Sequence, residues 1–315
     1  MKTMILLILF SLLILCAAPF VGGVMIDPTN ITDSDILYSL RIPRVLTTFL
    51  VGVILALGGV VFQALFRNPL ATPFTLGVSS GAALGATVAL RLGLTISFLG
   101  LTMVSWVAFV GALFAVGLVF LLSKVGKQRG PSSMLLSGVA VNFSLASLVM
   151  LIHYSSSMSG SFNILRWMMG RTEVVGYSTA TLLLPFAGLL AVILIVLSRE
   201  LDLMTVGDDF AITRGVALKP VRNLMLVSVS LATGIAVSLS GPIGFVGLMA
   251  PHICRLLVGS GHRMLIPATI FFGGSFLVAC DTIARTVVAP TEIPVGVVTS
   301  LVGSVFFLWL LIKRD

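Results

Sequence analysis

Charge is what this sequence has least of. Asp and Glu together supply 11 of 315 residues and Lys and Arg 19, so charged side chains make up 10% of the chain against 58% hydrophobic. So little polar surface excludes a soluble globular domain and marks a polytopic membrane protein. The formal surplus of eight positive charges does not describe a nucleic-acid binder, because the bases stand singly between apolar runs and form no stripe on a polar face.

Cysteine and histidine are nearly as scarce. Cys16, Cys254 and Cys280 lie in or beside apolar runs at unrelated spacings, which signals neither a disulfide framework nor a zinc site. His153, His252 and His262 are equally scattered and read as helix-end residues, not as metal ligands. No phosphate-cradling GxxxxGK[ST] loop exists: the Gly126–Lys127 pair continues as Gln128. With no carboxylate pair, nucleophile elbow or metal-ligand cluster in the spans, the chain is not expected to be an enzyme, and any nucleotide hydrolysis must come from another subunit. Asp281 is the one acid deep in a late span, and Arg285 four residues on can pair with it on one helix face. That pair weakens the reading of another class, an ion-coupled secondary transporter.

What is present is a succession of apolar runs bounded by Gly, Pro or charge. They give ten spans, at 3–23, 43–66, 74–90, 99–122, 134–153, 178–198, 223–240, 244–258, 264–284 and 294–312, the eighth short and interrupted by Pro251, His252 and Arg255. Residues 1–23 can be read as a signal peptide. Leu15 before Cys16, and Pro19 after Ala18, instead favour a retained first span. The third span carries Gly77, Gly81 and Gly85 at four-residue spacing, a bare face that lets another backbone approach. An even number of spans puts both termini on one side. With the N-terminus inside, thirteen of the 19 bases lie inside, and Arg41, Arg44, Arg91, Arg166, Arg171 and Arg285 lie outside. Arg41 and Arg44 stand at a helix start whose dipole favours an acid, so they call for lipid phosphate, the nearby Asp33 and Asp35, or an acidic partner.

Two connections are long. The outer one, 154–177, contains an amphipathic stretch, Phe162–Met169, expected to be a short helix in the membrane interface. The inner one, 199–222, reads as two short helices broken at Gly215, with Asp208 or Asp209 capping the first and Pro220 entering the next span. It is either a docking surface for a cytoplasmic protein or a solvated linker. A weak echo links GVILALGGVVFQALFRNPLA at 52–71 with GIAVSLSGPIGFVGLMAPHI at 234–253, as in the inverted repeats of transporters.

The motifs RIPRVL at 41, ALGG and FQALFRNPLATP between 56 and 73, LGVSSGAALG at 76, LLSGVAV at 135, WMMG at 167, PIGFVGLMAPHICRLLVGSGHR at 242 and EIPVGVVTSLVGS at 292 resemble the permease subunits of type II ABC importers, which carry iron-siderophores, haem and vitamin B12. The resemblance covers nearly the whole chain. It implies an all-α fold of about ten transmembrane helices in a single domain, residues 1–315, with an inverted repeat of spans 2–5 and 7–10. It further implies a homodimer in a bacterial inner membrane with both termini cytoplasmic, two cytoplasmic ATPase subunits that hold ATP and Mg, and a periplasmic or lipid-anchored substrate-binding protein. This chain itself would bind no cofactor and no nucleic acid; its other contact is membrane lipid.

Carried over by residue, the resemblance assigns binding-protein docking to Arg41, Arg44 and Arg285. It assigns ATPase coupling to the inner loop from Val206 to Pro220: Val206, Gly207, Asp208, Asp209, Ala211, Arg214, Gly215 and Val216, with Gly215 at the break between the coupling helices. The translocation path falls on Ser79 and Ser80, on Asn142, Ser144 and Ser147 of span five, and on Ser300. For each small residue ordinary helix packing is the competing reading. A gate is expected near Pro131 and Ser132, where this chain reads Gly130, Pro131, Ser132, Ser133 and departs from the hydroxyl-rich pattern of the vitamin B12 member. Iron-siderophore or haem is the first expectation for cargo, a corrinoid the second, and a molybdate-type oxyanion the third.

Overall fold

The computed structural model describes residues 2–22, 36–94, 96–98, 101–125 and 131–313. Asp33 and Asp35, and most of the turn expected to gate the path, lie outside the described residues. Ten helices correspond to the ten expected spans. They are α1 (Lys2–Ala17), α2 (Ile42–Phe66), α3 (Val78–Arg91), α4 (Met103–Val125), α5 (Pro131–Tyr154), α7 (Ser178–Val196), α10 (Leu218–Ser240), α11 (Val246–Val258), α12 (His262–Ala284) and α13 (Val295–Ile312). Between them lie α6 (Met158–Met168), joining α5 to α7, and α8 (Ser198–Val206) and α9 (Asp208–Thr213), joining α7 to α10. Among the described residues, seven helical segments are long and apolar enough to cross a membrane by themselves; α3, α11 and α13 are shorter.

Local chemistry explains where these helices start and stop. The third starts at Val78, four residues later than expected, because Pro73–Leu76 forms a single 3-10 turn closed by Gly77 at φ +86°. The fourth starts at Met103, because Ser97–Phe98 and Leu101–Thr102 pair as a two-residue hairpin. The bare face of α3 meets α4: a Cβ at Gly81 or Gly85 would collide with the α4 backbone at Gly111 or Val107. In lipid, where apolar burial drives association weakly, such backbone contact is a principal source of helix adhesion.

The inner connection differs from its expectation. Three elements occupy it: α8, a break at Gly207, and α9, whose first turn holds Asp208 and Asp209 without a side-chain cap. Gly215, at φ +83°, separates α9 from α10, so the expected second short helix is the first turn of the long α10.

The inverted repeat is visible in the packing. α2 and α10 are long helices, each followed by a turn with positive φ, at Arg67 and Gly241, then by a short helix, α3 or α11. α2 packs on α12 as α10 packs on α4, and the short helix of each half packs on the long helix that follows it. The core is α2, α10 and α12, whose membrane windows are 83%, 67% and 61% buried, against 22–28% for α1, α4, α5 and α7, so the repeat is broken where α12 is buried and its counterpart α4 is not.

Candidate functional site

Along one side of the core runs a cavity of about 710 Å³. Its walls come from Phe74, from Ser79, Ser80 and Ala83 of α3, from one face of α5 including Asn142, Phe143, Val149, Met150 and His153, and from Leu165 and Met168 of α6. Four-residue spacing on α5 and α3 brings these side chains to one wall. Ser80 donates to Asn142 Oδ1 at 2.7 Å while Asn142 donates to the Phe74 carbonyl at 3.1 Å, a cross-link that fixes the polar end of the wall. Among the described residues, no Asp, Glu, Lys or Arg lines the cavity. A second cavity of about 500 Å³ adjoins it at Met168 and Pro242 and is lined by Phe245, Ser300 and Ser304.

The structure thus brings Ser79, Ser80 and Asn142 together, and places Ser300 in the adjoining cavity. Ser144 and Ser147 do not join them. Both are exposed elsewhere on α5 and donate back to the carbonyls of Ala140 and Phe143. Ser132 is exposed near the start of α5, and Pro131 is its first residue. Phe143 and Met150 remain 73% exposed, so α5 presents an apolar face that no described residue covers.

At the end of the fold expected to lie outside, the three arginines expected to face a partner are drawn inward. Arg44 grips Asp281 with two nitrogens, Nη2 to Oδ1 at 2.8 Å and Nε to Oδ2 at 3.1 Å, and its Nη1 holds Glu292 at 2.8 Å. Arg41 is buried and donates to the Pro19 carbonyl at 3.1 Å. Arg285, also buried, donates to the Ala18 carbonyl and to Thr282 Oγ1. The expected Asp281–Arg285 pair is the weaker one, at 3.9 Å, because Asp281 lies nearer the start of α2 and takes the planar fork of Arg44 instead. Thr172, before α7, adds its hydroxyl to Asp281 Oδ1 at 2.6 Å. Burial draws the Arg285 guanidinium below its ordinary value, which Asp281 partly offsets; arginine stays charged regardless.

The opposite end, expected to lie inside, has its own cluster. Asp208, at the start of α9, bridges Arg67 at the end of α2 and Arg222 of α10, the latter at 2.9 Å, and Arg67 Nε donates to the Met204 carbonyl at 3.1 Å. Asp202 of α8 accepts from the His262 backbone N–H at 2.9 Å, capping α12. Ala211 packs inward, whereas Val206, Asp209, Arg214 and Gly215 are exposed and Val216 is half-buried. Ile212 is 56% exposed beside Phe210, over whose ring Arg214 lies at 5.3 Å. Phe210 and Ile212 thus stand as an exposed apolar knob among polar neighbours.

Sequence reading missed four of these groups. Thr172 and Glu292 carry no local signal, since their partners lie 109 and 248 residues away. Arg67 was visible only as the charge closing span two. Gln63 could have been suspected from Pro251, which deprives the Gly247 carbonyl of its helical donor; the Gln63 amide supplies one at 3.2 Å, and its oxygen accepts from Arg255.

Known proteins resemble this arrangement over its whole length. The cobalamin import system permease protein BtuC of Halobacterium salinarum is 38% identical over 305 residues, covering 97% of this chain and 79% of that one. The hemin transport system permease protein HmuU of Yersinia pestis is 37% identical over 294 residues, covering 91% and 86%. A solved transporter described as of the metal-chelate ABC type, in an inward-facing conformation, superposes with a TM-score of 0.87 at 31% identity over 99% of both chains. Residues 4–313 match the FecCD transport family, and the chain belongs to that family.

Proposed function

We propose that this chain is the permease subunit of an ABC importer that moves a bulky metal chelate inward, iron-siderophore or haem first and a corrinoid second. The observation that carries the reading is the cavity beside α3, α5 and α6: large, apolar, uncharged, with a short polar edge at Ser79, Ser80 and Asn142. Such a wall offers few specific contacts and suits a bulky amphiphilic chelate, where a small ion would need charged or chelating groups. Specificity then rests mainly with the substrate-binding protein.

In this reading the exposed apolar face of α5, with that of α13, meets a second copy of the chain, and the two half-cavities close on the cargo. Two partner ATPase subunits, which hold the ATP and Mg, dock on the knob at Phe210 and Ile212. Closure of the ATPase pair pushes α9, and Asp208 passes the push to the ends of α2 and α10 through Arg67 and Arg222. Outside, Arg44 is the arginine within reach of an acidic binding protein, through the exposed Glu292 that it holds, while the buried Arg41 and Arg285 act beneath it as fixed positive charge. The protein lies in a bacterial inner membrane with both termini cytoplasmic. An ion-coupled mechanism gains nothing from Asp281, whose carboxylate is already neutralised by Arg44.

The test is uptake of labelled ferric-siderophore, haem and cobalamin, side by side, in cells with and without the chain. Dependence of one cargo on the chain supports the reading and names the cargo. Uptake that is unchanged for all three, with no ATPase co-purifying with the chain, would refute it.

A further inference from the structure

We infer that Thr172 is a positioning residue that ties the docking arginine Arg44 to the wall of the cargo cavity. Docking at the outer face is thereby felt at Met168 and Met169. The inference rests on the importer reading above.

Thr172 is 3% exposed, and its hydroxyl donates to the same Asp281 oxygen that takes Arg44 Nη2. A buried hydroxyl among apolar helices costs free energy unless it has such a partner, so valine would fill this space more cheaply if space-filling were its purpose. The chain just before Thr172 is equally constrained. Gly170 turns the chain after α6 at φ +72°, where a Cβ would strike the Pro242 carbonyl, and Arg171 N donates to the Ser240 carbonyl at 2.6 Å. Residues 170–172 are therefore held at one end on the α10–α11 junction and at the other on Asp281.

The same segment borders both cavities. Met168 and Pro242 line both cavities, and Met169 lines the second. From Arg44 to the cavity wall the contacts run through Asp281, Thr172 and three residues of backbone. The exchangeable ligand of Arg44 is Glu292, whose side chain is 38% exposed, while Asp281 is 1% exposed. A carboxylate arriving from a binding protein competes with Glu292 for the guanidinium. As Arg44 turns toward it, Asp281 Oδ1 loses part of its fork and pulls harder on the Thr172 hydroxyl. The outer wall of the cavity then moves with the docking event.

The experiment uses the full permease with its ATPase in lipid nanodiscs, the binding protein of the same transport system, and ferric-siderophore, haemin or cyanocobalamin as cargo, whichever the uptake assay selects. Met168→Cys in a Cys16→Ser background reports the cavity wall through its rate of alkylation. In this background and with Thr172→Ser, docking should change that rate by about tenfold, the equivalent of one charge-assisted hydrogen bond. With Thr172→Val the change should vanish, while the affinity for the binding protein stays within about twofold of wild type, because Arg44 keeps both carboxylates. If Thr172→Val does not fold, Thr172→Ala replaces it. A docking-induced change that survives in the valine or alanine variant would overturn the inference, and so would loss of docking itself. A wild-type permease that binds no binding protein would overturn the importer reading and this inference together.

Discussion

Each end of α2 is held by a carboxylate set among arginines, but the two ends lie in different dielectric surroundings. Outside, Asp281 is 1% exposed and Arg44 13%, with Thr172 completing the carboxylate's hydrogen bonds. Inside, Asp208 is 36% exposed, Arg67 43% and Arg222 20%. The outer pair is a dry lock whose removal strands a buried charge. The inner bridge sits at the water boundary, where each bond can be traded for hydration at small cost. Burial, more than residue type, thus decides whether an ion pair is a stiff coupling that passes a displacement on or a loose one that yields to water. The comparison suits an importer whose outer end is a platform and whose inner end is a lever.

Three substitutions sharpen or break that contrast. Asp281→Ala should have the largest effect, about 3–5 kcal/mol of stability, because it leaves Arg44 and Arg285 facing each other in a buried site. The thermal midpoint in detergent should fall by many degrees and respond little to salt; an unchanged midpoint would mean that the outer cluster is not a lock. Gly215→Leu comes next. Its positive φ costs a side chain about 1–2 kcal/mol, and the space around it is open, so the strain should fall on the α9–α10 break and not on packing. Cargo moved per ATP should drop about tenfold with ATPase docking retained. Normal uptake would remove Gly215 from the lever. Asp208→Asn should be the mildest, about 0.2–1 kcal/mol per lost pair, and smaller still at high salt because exposed charges are screened. A salt-independent loss as large as that of Asp281→Ala would abolish the distinction between the two ends.

Much of this was legible in advance because a bilayer imposes strict rules. Span number, the shortness of the eighth helix, the close approach at Gly81 and Gly85, and the echo between the halves all follow from length, hydropathy and small-residue spacing along single helices. The cavity wall was legible in part. Ser79, Ser80 and Asn142 converge, but Ser144 and Ser147 lie elsewhere on α5, since which face of an apolar helix turns inward depends on its neighbours. The inner loop was recognised as helical, yet its break at Gly207 went unseen because the glycine that stood out was Gly215.

The sequence by itself determined the membrane class and the order of the spans, since each depends on residues close together in the chain or on composition. Only the tertiary structure decided who pairs with whom. Asp281 has Arg285 four residues away and still takes Arg44, 237 residues distant, because helix packing sets the start of α2 against the end of α12 and a planar fork fits the carboxylate better than a stretched contact along one helix.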